Sequence, residues 1–572
     1  MRTVTGISKC KTTFVTLALA LASLSSAGHE GEAETTPRAA RVLGEIHFPT
    51  HATRPEAQQA FLRGMLLLHL FEYPFAREEF LKAEAIEPRF AMAYWGEAMS
   101  FNHPIWDRQD LTAGRAALAK LGATPAERQA ATPDPRERDF LASLELLYGE
   151  GSKAERDRAY LRALEQMASS YPEDHEVQLF YALALIGVSA GVRDIPNYMQ
   201  STAISQAVFC ANPHHPGAAH YLIHGVDDPE HAVLGLAAAR ALAVMAPDAG
   251  HSLHMTSHIF NALGMWDELV NANENAQRVA NTMREEHGER ARRWGHYAFW
   301  LLYGYLQQGR FEDARLLLTA AYQELRTENP VPKDRMILDP DESQTGLVLQ
   351  MWARYLIETR DWHGAVADWR FPIGDAFDPN LTFSYIQALR AAETGKPAQV
   401  TRQLERFRRL RDELAQSIAA RKEQEPGQQL YLKRLAVMEL QLQAAVEIAR
   451  GETLAAARIA GTAATLEGAM PYAFGPPFVD WPAAEMQAEL LLEAGQNAYA
   501  AAVFEAQLQR TKLRAASLLG LTRAQERLGN GPDGERARAR LAQIWQRADA
   551  SVRQRLAPAS SAGSTSKQDQ RE

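Results

Sequence analysis

Histidines are concentrated in one short part of the sequence, and their spacing suits metal binding. Eight of the 17 histidines lie between residues 214 and 258. His220 and His224 are four residues apart, and His254 and His258 repeat that spacing 34 residues later. Residues four apart on a helix point to the same side. Each pair therefore predicts a helix face that presents two imidazoles together.

A fifth histidine extends the second pair, because His251 precedes His254 by three residues and shares its helix face. Packed helices lie about 8–10 Å apart, so two such faces side by side are expected to direct their imidazoles towards one point. Imidazole donors favour transition metals such as Zn, Cu, Ni or Fe over Ca or Mg, which prefer oxygen ligands. The predicted metal ligands are His220, His224, His251, His254 and His258.

Carboxylates that follow the first pair could complete this site. Asp227, Asp228 and His231 are expected to bind the ligand directly or to orient the imidazoles through hydrogen bonds. The sequence has no H-E-x-x-H motif, so the common zinc-protease arrangement is absent. It also has no nucleophile motif, phosphate loop or nucleotide fingerprint, so no nucleotide cofactor is expected and an enzymatic function would depend on the histidines alone.

A second pair of histidines shows the same interval, because His69 and His103 are also 34 residues apart. Trp95 and Glu97 lie between them and offer an aromatic surface and one carboxylate. These four residues are predicted to contact a ligand. Packing in the core is the alternative for Trp95, and a role as base is the weaker hypothesis for Glu97.

The elements that position these residues are predicted from the same period. Gly64 and Ala76 would let two helices approach closely, Phe80 would fill the gap between helix pairs, and Pro88 would end the second helix. The spacing of these residues resembles the tetratricopeptide repeat, and the resemblance covers most of residues 55–550. It implies an all-α fold, namely a superhelix or α-solenoid of antiparallel helix pairs.

The resemblance also has consequences for the histidines. It implies that all seven face the concave groove of the array, where such repeats hold ligands. Residues 91–99, 212–224 and 251–259 are similar to segments of a His-rich, exported bacterial tetratricopeptide family that has no established activity. Thr256 stands where that family would have Pro. This second resemblance implies an architecture and no reaction.

The N-terminus has the pattern of a signal peptide. Basic residues at positions 2, 9 and 11 precede an uncharged, largely apolar stretch at 12–24, and the small residues 25–27 suit cleavage. Cleavage predicts a periplasmic or secreted protein with no membrane span in the mature chain. The net charge changes from −9 to −12 on cleavage, which argues against nucleic-acid binding.

Composition and periodicity divide the chain into six segments. They are a signal peptide (1–27), an extended N-terminal segment (28–54), an N-terminal repeat array with the His-rich groove (55–327), a Pro-rich loop (328–342), a C-terminal repeat array (343–556) and a disordered tail (557–572).

Three functions are compatible with this organisation. The first hypothesis is an exported binding protein that holds a transition metal (Zn, Cu or Fe) or a small ligand in its groove. The second is a metal-dependent enzyme that activates water or oxygen. The third is a metal-free adaptor that binds a protein or peptide. The lack of catalytic motifs favours a non-enzymatic protein.

Overall fold

The computed structural model describes residues 41–189, 193–421, 426–472 and 474–557. The predicted signal peptide and residues 558–572 of the predicted tail lie outside this part. Nearly all regular structure in the described residues is α-helical. Two short antiparallel strands, β1 (Asn102–His103) and β2 (Arg108–Gln109), form the only sheet there.

Helices follow one another in antiparallel pairs through the first half of the chain. They are α1 (Pro55–His69), α2 (Tyr73–Ile86), α3 (Ala91–Met99), α4 (Leu111–Leu121), α5 (Pro125–Ala130), α6 (Pro135–Leu147), α7 (Lys153–Ser170), α8 (His175–Gly187), α9 (Ile195–Ala211), α10 (Pro216–Gly225), α11 (Leu236–Met245), α12 (Gly250–Leu263), α13 (Trp266–Glu286), α14 (His296–Gln307) and α15 (Phe311–Glu328). Each of these helices packs against the next in the chain.

The pairing continues beyond a connection that contains only a short 3-10 turn at Pro340–Glu342. The helices of the second half are α16 (Gln344–Thr359), α17 (Phe377–Glu393), α18 (Pro397–Ala419), α19 (Pro426–Ala449), α20 (Thr453–Gly468), α21 (Ala483–Glu493), α22 (Asn497–Arg510), α23 (Ala515–Arg527), α24 (Gly531–Ile544) and α25 (Ala550–Arg553). The other 3-10 turns are Pro104–Trp106, Ala232–Gly235, Ala365–Asp368, Trp545–Arg547 and Gln554–Leu556.

Contacts around Phe80 confirm the repeat packing predicted from the sequence. The Phe80 side chain is fully buried between α1 and α3. A Cβ atom added at Gly64 or at Gly96 would lie closer than 3.0 Å to its ring, so both neighbouring first helices need glycine at this point. The fold is therefore the predicted all-α superhelix of antiparallel helix pairs.

The last helices return to the middle of the array. The Trp266 indole donates to the carbonyl of Leu513 (3.0 Å), and the Trp545 indole donates to the carbonyl of Gln307 (3.1 Å). The Gln307 side chain in turn accepts a hydrogen bond from the backbone N–H of Ala515 (2.9 Å). The C-terminal repeats thus pack on α13 and α14, and the array closes on itself.

Residues 41–54 contain no helix or strand and form what we call the N-terminal strap. Phe48 of the strap is buried against the core. The Glu45 N–H donates to the carbonyl of His214 (2.9 Å), and the Val42 N–H donates to Asp248 (2.8 Å). The strap therefore lies along the helix pairs that carry the histidines.

None of the helices in the described residues combines the length and the apolar composition that crossing a membrane requires.

Candidate metal centre

Three histidines from two neighbouring helices form a first cluster, which we call triad 1. His220 and His224 lie four residues apart on α10, and His251 lies at the start of α12. One ring nitrogen of each lies within 4.8 Å of the others. The Nε2 atoms of His220 and His224 are 3.1 Å apart. This is a compact set of three imidazole donors.

Triad 2 repeats the arrangement one helix pair later. His254 and His258 lie four residues apart on α12, and His296 begins α14. Their ligand atoms also lie within 4.8 Å of one another, and the Nε2 atoms of His254 and His258 are 3.1 Å apart. Each triad thus takes two histidines from one first helix and a third from the start of the next.

The structure does not bring the five predicted imidazoles to one point. It divides them between two triads and adds His296, which the spacing of the histidines did not predict. His296 follows His251 by 45 residues instead of 34, because α13 and the loop after it are longer than a standard repeat. Because this helix pair is enlarged, a fixed interval of 34 residues does not predict His296.

The hydrogen bonds of triad 2 fix the protons of its first two rings. His254 Nδ1 lies 2.7 Å from Asn273 Oδ1, and Asn273 Nδ2 donates to the carbonyl of Leu269, so Oδ1 must accept from the ring. His258 Nδ1 donates to the carboxylate of Asp227 at 2.5 Å. Neutral His254 and His258 therefore both carry their proton on Nδ1 and present an Nε2 lone pair.

These two lone pairs face each other at 3.1 Å, and only a cation between them makes that arrangement favourable. His296 donates Nδ1–H to Asp341 (2.6 Å), which leaves its Nε2 lone pair available as well. With a third imidazole nitrogen this close, a metal ion satisfies all three rings, whereas a proton satisfies two. Acceptors on Nδ1 are the usual partners of metal-binding histidines.

Triad 1 shows the same features in part. His220 donates Nδ1–H to the backbone carbonyl of His69 (2.6 Å), so its Nε2 carries the lone pair, which faces His224 Nε2. The Nε2 atom of His251 is buried and has no hydrogen-bond partner among the described residues. A buried polar atom without a partner is costly unless a ligand or a water molecule satisfies it.

Burial keeps most of these imidazoles neutral. It lowers the pKa of His220 to about 3, and it lowers the pKa of His224, His251 and His254 well below the usual 6.5. Burial also opposes charge on His296, but the Asp341 carboxylate outweighs it and raises the pKa of that ring. Neutral imidazole is the form that binds metal.

His69 and His103 do not share a site. His69 is fully buried, with Nε2 2.7 Å from Glu176 and Nδ1 2.8 Å from the Tyr221 hydroxyl. His215 also contacts Glu176, at 3.2 Å. These hydrogen bonds use both ring nitrogens of His69, so its role is to support triad 1 through its backbone carbonyl.

The remaining predicted residues of the second pair lie elsewhere. The ring of His103 stacks on Tyr73 with centroids 3.9 Å apart. Trp95 is buried in the core, where its indole donates to the carbonyl of Phe140 (3.2 Å). Glu97 forms an ion pair with Lys120 (2.6 Å). Trp95 is therefore a core residue, and Glu97 is a buried carboxylate paired with the half-exposed Lys120.

The three predicted residues after α10 have separate roles. Asp227 orients His258, as described above. Asp228 accepts hydrogen bonds from Arg193 (2.6 Å) and from His231 (2.9 Å), and so stabilises the loop that carries Asp227. Asn273, by contrast, is a site residue that the spacing of the histidines does not indicate, because it lies on the following helix, α13.

A cavity of about 550 Å³ adjoins both triads. Five of the six histidines reach it, and its other walls combine aromatic residues with aliphatic, amide and charged ones. The aromatic residues that line it are Phe71, Trp106, Trp294, Tyr297 and Phe474. Three imidazoles occupy only three positions of a four-coordinate metal, so the fourth position would be open to this cavity.

Comparisons with known proteins find similarity only among solved structures. No protein-family model matches the sequence, and no curated protein does either. Yeast Tom70 shares 10% identity at a TM-score of 0.31, with 84% of this chain and 90% of that chain covered. Human IFIT1 in a dimer with m7Gppp-AAAA shares 13% identity at a TM-score of 0.33, with 86% of this chain and 91% of that chain covered. The P58(IPK) TPR domain shares 15% identity at a TM-score of 0.20, with 83% of this chain and 99% of that chain covered. At these scores, no property of the three proteins is transferred to this chain.

Proposed function

We propose that this chain is an exported α-solenoid protein that binds transition-metal ions at triad 1 and triad 2. The observation that carries the proposal is the pair of Nε2 lone pairs on His254 and His258, 3.1 Å apart, with both Nδ1 protons committed elsewhere. A helix array supplies such pairs easily, because each first helix presents residues four apart to the same side.

The ligand chemistry narrows the choice of metal. Neutral imidazoles suit Zn, Cu and Fe, and three of them leave room for a water molecule or a ligand. No carboxylate belongs to either triad, which argues against Ca or Mg.

Export is proposed from the sequence alone. The basic start, the apolar stretch at 12–24 and the small residues at 25–27 support it.

Metal analysis of protein expressed without a polyhistidine tag tests the proposal. We expect two ions per chain after incubation with Zn or Cu and removal of excess metal. His220→Ala should lose the ion of triad 1, His254→Ala should lose the ion of triad 2, and the double variant should lose both.

His363→Ala is the matched control, because His363 is exposed and lies outside both triads. It should retain two ions. Circular dichroism of each variant checks that the helices persist. A folded wild-type protein that binds neither Zn nor Cu would refute the proposal and leave a metal-free adaptor as the function.

The aromatic cavity favours a second candidate, a metal-dependent enzyme. A metal with an open position beside a cavity can activate a bound water molecule. Azide added to the Cu-loaded protein would test this access: a shifted copper absorption band indicates an exchangeable position, and an unchanged spectrum excludes one.

A further inference from the structure

The two triads share one helix as a common wall. His251 on α12 belongs to triad 1, while His254 and His258 on the same helix belong to triad 2. Because one helix carries ligands of both sites, their separation is fixed. The two sites cannot move independently while α12 is folded.

Ring distances show that the six imidazoles form one continuous group. Within the triads, neighbouring ring centroids lie 4.7–5.2 Å apart. Between the triads, the corresponding distances are 6.2 Å for His251 and His254 and 6.3 Å for His224 and His258. The step from one triad to the next is thus little longer than a step inside a triad.

The charge of such a group is unbalanced when both sites are filled. Six neutral imidazoles contribute no negative charge, whereas two divalent ions bring four positive charges into a buried region. Asp227 and Asp341 lie one layer behind the imidazoles, and Glu72 accepts from the backbone of His251, so at most three negative charges face these four. Repulsion between close cations is strong where water is excluded. An anion between the ions would offset it.

The cavity supplies the route for that anion. It contacts His224, His251, His254, His258 and His296, and so reaches both triads from one side. Two arginines, Arg284 and Arg292, and two acidic residues, Glu72 and Asp341, lie in its wall, so the cavity offers a polar route to both triads. The open positions of both ions would face the same space.

We propose that triad 1 and triad 2 form a single dinuclear centre, whose two ions share a bridging anionic oxygen ligand that enters from the aromatic cavity. This inference rests on the proposed metal binding. In the absence of other ligands the bridge is hydroxide from water, and the same position would accept the carboxylate of an apolar acid that fills the cavity.

Electron paramagnetic resonance of the full chain loaded with two equivalents of Cu(II) sulfate tests the proposal. A shared oxygen ligand couples the two unpaired electrons, so we expect the signal of the two-copper protein to lose most of its integrated intensity. His220→Ala and His296→Ala each disrupt one triad and should bind one copper per chain. The integrated intensity of their signal should account for all of the bound copper. His363→Ala should behave as wild type.

The outcomes distinguish the bridging ligand from the metal binding on which it rests. Two coppers per chain with full integrated intensity, even if the signal is broadened by proximity, would overturn the bridging ligand and leave the metal sites intact. No stoichiometric copper would overturn both. The two variants lie on different helices, so a folding defect in one does not remove the comparison.

Discussion

At the scale of single residues, the candidate site depends on atoms one layer behind the imidazoles. Asp227, Asn273 and Asp341 each accept a hydrogen bond from the Nδ1–H of one imidazole. The backbone carbonyl of His69 accepts the corresponding hydrogen bond from His220. These acceptors fix the tautomer and the orientation of the four rings they bind, so each of these four rings carries its lone pair on Nε2.

Asp227→Ala tests that supporting layer. The substitution removes the acceptor of His258 Nδ1–H and leaves all six imidazoles in place. We expect the metal affinity of triad 2 to fall by about 10–100-fold, the usual effect of losing such a partner. Titration of the metal-free protein against a competing chelator measures this.

Triad 1 serves as the internal control in that titration, because its His220 relies on the carbonyl of His69. The affinity of triad 1 should fall much less than that of triad 2. Equal weakening at both triads, or no weakening at either, would contradict the role assigned to Asp227.

Sequence spacing predicted the histidine pairs because two residues four apart on a helix face the same side whatever surrounds them. It could not find His296, which lies in an enlarged repeat, nor Asn273, whose contact with His254 depends on how α13 packs on α12. The 34-residue interval alone also led to the prediction that His69 and His103 share a site. Burial and partners, which the period does not encode, separate them.

At the scale of helix pairs, close approach around Phe80 sets the geometry of the first repeats. Gly96→Ala would place a Cβ atom against the Phe80 ring, and the ring cannot move because it is buried. We expect the free energy of unfolding to fall by about 1–3 kcal/mol, the usual cost of overpacking. Urea unfolding followed by circular dichroism measures it.

Gly468→Ala is the matched control, because Gly468 is an exposed helical glycine with open space around its Cα. Because Gly468 is the last residue of α20, alanine there should stabilise the protein only slightly, by up to about 0.5 kcal/mol. If both substitutions changed stability in the same direction, the steric account of Gly96 would be wrong.

At the scale of the whole molecule, a buried arginine joins distant parts of the array. Arg514, just before α23, donates to Glu485 (2.8 Å) and to Glu358 (2.6 Å), and it also contacts the Tyr303 hydroxyl (3.2 Å). Repeat period and composition predicted the helix pairs but not this closure, because the curvature of a superhelix accumulates over many small rotations.

Arg514→Met should therefore weaken the closure. It leaves two buried carboxylates without their partner, and we expect a loss of about 3–5 kcal/mol in the free energy of unfolding. Limited proteolysis should release the region after residue 514 first. Arg536→Met, which removes an exposed ion pair with Asp533, should have an effect near zero, within about 0.5 kcal/mol. A similar effect of both variants would contradict the buried role.

The N-terminal strap has a consequence for the order of events when the protein is made. Val42 binds Asp248, which is 206 residues away in the sequence. Phe48 can pack early, because its ring partners are Phe61, Trp95 and Phe140 on α1, α3 and α6. Val42 and Glu45, by contrast, must wait until the segments around α10–α12 have been synthesised and folded, because their partners are Asp248 and His214. The start of the strap is thus expected to dock after its Phe48 end.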